Sequence, residues 1–184
     1  MQVYDAIIIG SGQASSGLAS SFAQEGQRVA LIEGHKLGGT CLNWGCIPTK
    51  ALLESARVAY LARKAAEYGV ETGPVHVDFA AVMARKDRII GGLQDGLSGW
   101  LHDMNGVDVY HAYGHFDGRS DDRYVVQAGD DRLAAASVYL NTGTRPFVPP
   151  IPGLDSVPYI TNEEILYLDA LPERLAIIGG GYIG

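Results

Sequence analysis

The chain has 184 residues, of which 47% are apolar and 19% charged, and this is the composition of a globular protein. Its net charge of −7 is spread along the sequence without lysine and arginine clusters, which argues against binding to nucleic acid. No apolar run is long enough to cross a bilayer, and because the first strand is predicted at about Val3 we expect no signal or transit peptide. With two cysteines, we expect a catalytic pair in a reducing compartment, the cytoplasm, rather than a structural disulfide framework.

The front of the chain follows the order strand, glycine-rich turn, helix, strand and acidic residue. Residues 3–9 end in an apolar run too short for a helix, which predicts a buried parallel strand. The sequence GSGQAS, residues 10–15, follows, and then a helical pattern that stops at Gly26. Residues 28–32 predict a second strand, which ends at Glu33. This order is the fingerprint of a dinucleotide-binding unit.

Each part of this fingerprint has a physical role in binding a nucleotide. Gly10 permits the tight turn, and Gly12 lets a pyrophosphate approach the backbone at the positive end of the helix. Glu33 can accept hydrogen bonds from ribose hydroxyls and argues against a 2′-phosphate, which favours FAD or NAD over NADP. Ser15 replaces the third glycine and is small enough for the helix to pack on the strand. An ordinary strand–helix turn without a nucleotide is the alternative.

The stretch GGTCLNWGCIPTK, residues 38–50, holds both cysteines, Cys41 and Cys46. Pro48 stands where a helix can start, and the helical pattern then runs from about residue 50 to residue 68. Two cysteines beside a helix N-terminus can form a strained local disulfide, and the helix dipole favours a thiolate there. Two thiolates with no third or fourth ligand nearby do not complete a zinc site. We therefore expect a redox-active dithiol, with two inert buried cysteines as the alternative.

The middle of the chain predicts one long helix and then several strands. Asp78 is a predicted N-cap for a helix from Phe79 to about Met104. From residue 107 the apolar period changes to two, and short strands are predicted within 107–116, 123–128 and 132–141.

The end of the chain repeats the sequence pattern of its beginning. The proline-rich residues 147–153 predict a linker or crossover, and Thr161 and Glu164 form a capping box. Residues 175–184, LAIIGGGYIG, again predict an apolar strand and a glycine turn. Because a strand and a turn without their helix cannot hold a nucleotide, we expect the sequence to be the front portion of a longer two-nucleotide enzyme, inactive alone.

The pattern GGTCxNxGCxPxK is matched at every fixed position by residues 38–50. It closely resembles the redox-disulfide signature of the flavin-dependent pyridine nucleotide–disulfide oxidoreductases, and the resemblance covers the whole chain. The resemblance implies an α/β fold: a Rossmann-like FAD-binding domain, with a parallel sheet and a small antiparallel β-meander, and then the start of a second Rossmann-like domain for NAD(P). The implied domains are residues 1–148 for FAD and the redox disulfide, 149–173 as linker, and 174–184 as the first strand and glycine turn of a truncated NAD(P) domain.

The resemblance also implies roles for residues that match the family's motifs. Cys41 would be the interchange thiol that meets the substrate, Cys46 the thiol nearest the flavin, and Lys50 a catalytic residue near the reactive edge of the isoalloxazine. The implied FAD-binding residues are Gly10, Gly12, Gln13, Ala14, Glu33, Gly39, Thr40, Lys50, Tyr113, Gly114, Thr142, Gly143 and Thr144. The implied NAD(P)-binding residues are Gly179, Gly181, Tyr182 and Gly184. The family's catalytic base is a histidine near the C-terminus of a partner subunit, and none of the five histidines here is assigned to it.

The implied reaction carries electrons from NAD(P)H through FAD to the Cys41–Cys46 disulfide and on to a substrate, in a homodimer, or in reverse for a dihydrolipoamide-type oxidation. The substrate stays open between a lipoamide-like disulfide and a metal or thiol compound. At Leu42, Ile47 and Pro48 the sequence resembles dihydrolipoamide dehydrogenase. At Thr49 and residues 141–153 it is more similar to a mercuric-reductase-like branch, and Trp44 departs from most members. A non-catalytic FAD-binding module with the cysteines as a redox sensor is the alternative function.

Overall fold

The structure is a computed structural model that describes residues 1–184 and contains six strands and four α-helices. The strands are β1 (Gln2–Ile9), β2 (Val29–Ile32), β3 (Val107–Tyr110), β4 (Gly114–Ser120), β5 (Arg123–Ala128) and β6 (Asp131–Leu140). The helices are α1 (Gln13–Gln24), α2 (Gly39–Asn43), α3 (Cys46–Lys64) and α4 (Phe79–His102). Single 3₁₀ turns cover Ala65–Tyr68, Leu154–Ser156 and Glu164–Tyr167.

All six strands belong to one sheet in the order β3-β2-β1-β6-β5-β4. β1 is parallel to both β2 and β6, β2 is parallel to β3, and β4, β5 and β6 form an antiparallel meander. β1 is buried from Ala6 to Ile9, as expected for a strand with parallel neighbours on both sides. The predicted α/β fold, a parallel sheet with a small antiparallel meander, is therefore confirmed.

The register brings the carboxyl ends of three strands to one edge of the sheet. Ile9 of β1 aligns with Ile32 of β2 and with Leu140 of β6. The next residue along each strand is therefore Gly10, Glu33 or Asn141, at the same level. Ligands of open α/β sheets bind outside these carboxyl ends.

Separate apolar clusters cover the two faces of the sheet. On one face, Ile8, Val29 and Leu31 pack with Ala19 of α1 and Leu101 of α4. On the other face, Ile7, Ile9 and Ile32 pack against side chains of the meander, among them Val126 and Leu133. These contacts hold helix α1 in place directly after the glycine turn.

A polar cluster ties β1 to the edge strand β3. The Tyr4 hydroxyl donates to Asp108 Oδ2 at 2.7 Å and is hydrogen-bonded to the Tyr110 hydroxyl at 2.6 Å. Burial, together with these two hydrogen bonds, raises the pKa of Tyr4 far above its ordinary value. The Tyr4 hydroxyl therefore keeps its proton, which it donates to Asp108.

The predicted helices form, with one shift of boundary. α3 begins at Cys46, earlier than predicted, and Pro48 is its third residue, where a proline's missing N–H is not needed. It tightens to a 3₁₀ turn after Lys64. Asp78 caps α4 as predicted, because its Oδ1 accepts the N–H of Ala81 at 2.9 Å. None of these helices is both long and apolar enough to span a bilayer.

The chain divides into two compact units. The first consists of Met1–Asn43 with Gly91–Thr144 and contains the whole sheet. The second consists of Trp44–Ile90 with Arg145–Gly184 and contains α3 and the first half of α4. These units differ from the predicted domains, whose boundaries at residues 148 and 173 remain a prediction.

The strand predicted within residues 174–184 does not form. These residues have neither helix nor strand, and all are exposed. A strand is stabilised by hydrogen bonds to a neighbouring strand, and none of the six strands pairs with this segment. An apolar run that predicts a strand is not sufficient without such a neighbour. The assignment of this segment to an NAD(P)-binding domain remains a prediction.

Candidate functional site

The glycine turn between β1 and α1 is packed against the residue that follows β6. Gly10 has a φ of +94°, and a Cβ atom there would collide with the carbonyl oxygen of Asn141. A Cβ atom at Gly12 would lie 3.0 Å from Asn141 Nδ2. Glycine is therefore required at Gly10 by contacts within the chain as well as by the predicted tight turn.

Ser15, at the place of the third glycine, takes part in a chain of hydrogen bonds under this turn. Asn141 Nδ2 donates to Ser15 Oγ at 2.7 Å, and Ser15 Oγ donates to the Gly10 carbonyl oxygen at 2.6 Å. Ser15 is only 1% exposed, as predicted for a small residue in the helix–strand contact. Asn141 was not predicted from the sequence. The sequence signal that could have identified Asn141 is a polar residue directly after a predicted strand.

The N-terminus of α1 is open to a ligand. Gly12 is its N-cap and makes no side-chain capping bond, so no side chain occupies the first N–H groups of the helix. Gln13 and Ala14 are the first two residues of α1, and both are exposed. Uncapped N–H groups and the positive end of the dipole fit a pyrophosphate.

Glu33 is oriented by hydrogen bonds to both of its carboxylate oxygens. Oε2 accepts from the Ser11 N–H at 2.9 Å and the Ser11 hydroxyl at 2.6 Å, and Oε1 accepts from the His35 N–H at 2.8 Å. A carboxylate offers about four acceptor positions. One position on Oε1 is therefore left for a ribose hydroxyl, which fits the predicted role.

Ser11 joins three parts of the site and was not singled out from the sequence. Its hydroxyl donates to Glu33 and also accepts the N–H of Gly38 at 3.1 Å. Ser11 is buried, at 2% exposure. One side chain thus fixes the glycine turn, the acid at the end of β2 and the start of the cysteine stretch. The middle position of a GxG motif does not reveal this role.

Three further predicted residues border the same edge of the sheet. Gly39 has a φ of +60°, and a Cβ atom there would lie 2.7 Å from Gly12 Cα. The ring of Tyr113 covers Gly34 and is 73% exposed. A Cβ atom at Gly10 would lie 3.2 Å from the Thr142 nitrogen.

For some residues predicted to bind the flavin, the structure shows a position but no contact that defines a role. Gly114 opens β4, and a Cβ atom there would lie 3.3 Å from side chains of Ile9 and Ile32. Thr40 is exposed in α2, and Gly143 and Thr144 are exposed after β6. Their contacts with a flavin remain predictions.

The cysteines lie on two consecutive helices. Cys41 is half-buried in α2, Cys46 is exposed as the first residue of α3, and the structure holds both as thiols rather than as a disulfide. Lys50 is exposed one turn after Cys46, so its ammonium and the Cys46 thiol lie on the same helix face. The disulfide and the roles of these three residues remain predictions.

The predicted NAD(P) residues do not form a site in this structure. Gly179, Gly181, Tyr182 and Gly184 lie in the exposed segment that lacks helix and strand. Their predicted role is therefore untested.

Comparison with known proteins identifies the family. The family description "Pyridine nucleotide-disulphide oxidoreductase" matches residues 4–184. This chain belongs to that family. Members of the pyridine nucleotide-disulphide oxidoreductase family use FAD and NAD(P)H, so the family and the cofactors predicted from the sequence are confirmed.

Two relatives and one solved structure show which members of the family the chain is similar to. The chain is 39% identical to the dihydrolipoyl dehydrogenase of Acholeplasma laidlawii, over 98% of the chain and 54% of the relative. It is 34% identical to the mercuric reductase of Lysinibacillus sphaericus, over 98% of the chain and 32% of the relative. The structure of the HOCl-induced flavoprotein disulfide reductase RclA from Escherichia coli matches with a TM-score of 0.77 and 36% identity, over 98% of this chain and 38% of that chain. The chain thus spans from about a third to just over half of the length of these proteins.

Proposed function

We propose that this chain carries the flavin site and the redox dithiol of an FAD-dependent NAD(P)H:disulfide oxidoreductase. The observation that supports this most directly is the open N-terminus of α1 beside the oriented carboxylate of Glu33. In the same sequence, residues 38–50 carry the two cysteines. In the sequence, the nucleotide site is directly followed by the dithiol. This order fits the transfer of two electrons between a flavin and sulfur.

The residues of the first unit would each hold one part of the cofactor. The N–H groups at the start of α1 would bind the pyrophosphate, with Gly12 allowing close approach. Oε1 of Glu33 would accept a hydrogen bond from the adenosine ribose. The exposed ring of Tyr113 would lie beside the adenosine, and Thr142 would contact the flavin beside Gly10. FAD, when bound, supplies the two-electron chemistry that links a nicotinamide to sulfur.

The two cysteines would undergo thiol–disulfide exchange with the substrate. The Cys41 thiolate attacks one sulfur of a substrate disulfide, forms a mixed disulfide and expels the other sulfur as a thiolate. The Cys46 thiolate then attacks the Cys41 sulfur, which releases the second substrate thiolate and closes the Cys41–Cys46 disulfide. The two electrons and one of the two protons that return this disulfide to the dithiol would come from NAD(P)H as a hydride equivalent, and the second proton would come from solvent. Lys50, with its positive charge, would stabilise negative charge that develops on the reduced cofactor.

The substrate is either a small disulfide of the lipoamide kind or a thiol-reactive metal ion. The names of the relatives, dihydrolipoyl dehydrogenase and mercuric reductase, support both classes. The test is turnover of lipoamide, glutathione disulfide and Hg²⁺ by the full-length protein with NADH and with NADPH. If the full-length protein binds FAD but turns over none of these substrates, the result would contradict the proposed enzyme activity. It would favour the alternative function, an FAD-binding redox sensor.

Replacement of each cysteine tests the assigned roles. In the full-length protein, Cys41→Ser should keep the long-wavelength absorbance that a thiolate beside the flavin produces, and Cys46→Ser should lose it. Both variants should lose more than about 99% of disulfide turnover, because a single thiol cannot complete the exchange. Absorbance spectra during anaerobic reduction provide the measurement. Retention of the band in Cys46→Ser, with its loss in Cys41→Ser, would reverse the assignment.

We also propose that the full-length protein is a homodimer, as the family resemblance implies. Light scattering during size-exclusion chromatography measures the mass of the assembly directly. A mass of one chain under assay conditions would contradict this proposal.

A further inference from the structure

Asn43 is a buried amide two residues after Cys41, and both polar atoms of its side chain are hydrogen-bonded. Its Nδ2 donates to the carbonyl oxygens of Leu37 at 3.0 Å and Gly39 at 2.8 Å. Because both carbonyls need a donor, the amide orientation is fixed and Oδ1 is directed away from them. Oδ1 accepts a hydrogen bond from Gln94 Nε2 on α4. Asn43 is 3% exposed, so this hydrogen bond is shielded from water.

This amide holds the short helix that carries Cys41. α2 has five residues, and so short a helix is not stable through its own hydrogen bonds. Asn43 closes it by binding the carbonyl of its first residue, Gly39, and the carbonyl of Leu37 in the preceding loop. The position of the Cys41 backbone therefore depends on the orientation of one side chain.

We infer that Gln94 is a positioning residue for the Cys41 thiol, and this inference rests on the function proposed above. Gln94 supplies the hydrogen bond that Asn43 Oδ1 needs inside the protein. Without that donor, Oδ1 would be a buried acceptor with no partner, and the turn would open to regain water. Gln94 acts through Asn43 and does not itself meet the substrate.

A looser turn would change the chemistry of the dithiol. It lowers the effective concentration of the Cys41 thiol at Cys46, and the disulfide then forms less readily relative to the dithiol. We expect the equilibrium constant for disulfide formation to fall about tenfold in a Gln94→Met variant, which is about 30 mV less negative in reduction potential. Methionine keeps the length of glutamine and removes the donor.

The experiment is a redox titration of the full-length protein in mixtures of reduced and oxidised dithiothreitol. Each Cys41–Cys46 disulfide that is reduced takes two electrons and two protons from one reduced dithiothreitol, which closes to its own cyclic disulfide. Acid quenching, alkylation and mass measurement then count the thiols without any need for enzyme activity. Gln24→Met is the matched control, because Gln24 is exposed on α1 and donates only to a surface hydroxyl, that of Ser20, at 3.3 Å.

A second measurement reports directly on the Cys41 thiol. In a Cys46→Ser background, Gln94→Met should raise the rate of Cys41 alkylation by iodoacetamide about tenfold, while Gln24→Met should not. Gln94→Glu keeps the size and polarity but is an acceptor only at neutral pH, and it should shift the potential as methionine does. It serves as the second variant if the methionine variant does not fold.

The outcomes separate the two proposals. If the wild-type protein forms no Cys41–Cys46 disulfide at any dithiothreitol ratio, the proposed dithiol function fails whatever Gln94 does. If the disulfide forms and the Gln94 variants titrate within twofold of Gln24→Met, the positioning role is overturned. A shift confined to the Gln94 variants supports it.

Discussion

Replacement of Gly39 with alanine should weaken FAD binding, although Gly39 lies outside the glycine turn. Gly39 has a φ of +60°, where an L-residue with a side chain is strained, and its missing Cβ would lie 2.7 Å from Gly12 Cα. The neighbour is backbone, so no flexible side chain can move aside. Either the glycine turn or the start of α2 must shift.

The added side chain has two effects, and only the second changes FAD affinity. The left-handed conformation costs alanine about 1–2 kcal/mol of folding stability. Non-bonded carbon atoms normally stay about 3.5 Å or more apart, so the added Cβ must push Gly12 away by close to 1 Å. A shift of this size loses one hydrogen bond to the pyrophosphate, about 1.5–3 kcal/mol for a charged acceptor. The left-handed strain is the same with and without FAD, so we expect FAD affinity to fall by the second effect only, about 1.5–3 kcal/mol, or roughly 10- to 150-fold.

The assay is a titration of the full-length apoprotein with FAD, followed by the quenching of flavin fluorescence. Gly17→Ala is the control, because Gly17 lies within α1 and a Cβ atom there would meet nothing within 4 Å. This control should gain about 1 kcal/mol of stability from helix propensity and keep its FAD affinity. If Gly39→Ala bound FAD within twofold of Gly17→Ala, the packing of Gly39 on the glycine turn would not matter for binding.

Two further predictions concern the second unit. Lys86 is 2% exposed, and its Nζ donates to the Leu166 carbonyl. Lys86→Met should therefore destabilise residues 161–168 by about 1–3 kcal/mol. Amide hydrogen exchange measures this against a control, Lys64→Met, at a half-buried lysine whose ion pair is with Glu67 on the surface. Exchange equal to that of the control would contradict it. Hydrogen bonds from the Thr161 hydroxyl and N–H lower the pKa of Glu164 below 4.5, so this capping contact is present above that pH and is lost as the pH falls through the lowered pKa. The protection factors of the amides in the 164–167 turn should fall over that range, and a Glu164→Gln variant should show no such fall.

The parts of the fold that could be predicted from the sequence are those set by local pattern. The apolar run before Gly10, the cap at Asp78 and the change of period at residue 107 each predict an element that forms. The run before Gly179 has the same local pattern as the run before Gly10. It forms no strand, because a strand also needs a neighbour that pairs with it.

The parts of the site that were missed depend on contacts between distant residues. Asn141 acts on Ser15, which is 126 positions away, and Gln94 acts on Asn43, which is 51 positions away. A single glutamine on a long helix has no sequence signal for such a contact. The glycines were predicted because their requirement is partly local, whereas their packing partners were visible only in the structure.

The shared hydroxyl of Ser11 limits which side chains could replace Glu33, the acid predicted to bind the ribose of FAD. The same acid also orients Ser11, and Ser11 in turn accepts the N–H of Gly38 at the start of the cysteine stretch. A replacement at Glu33 would therefore also disturb the start of the cysteine stretch, unless it retains an acceptor for the serine hydroxyl.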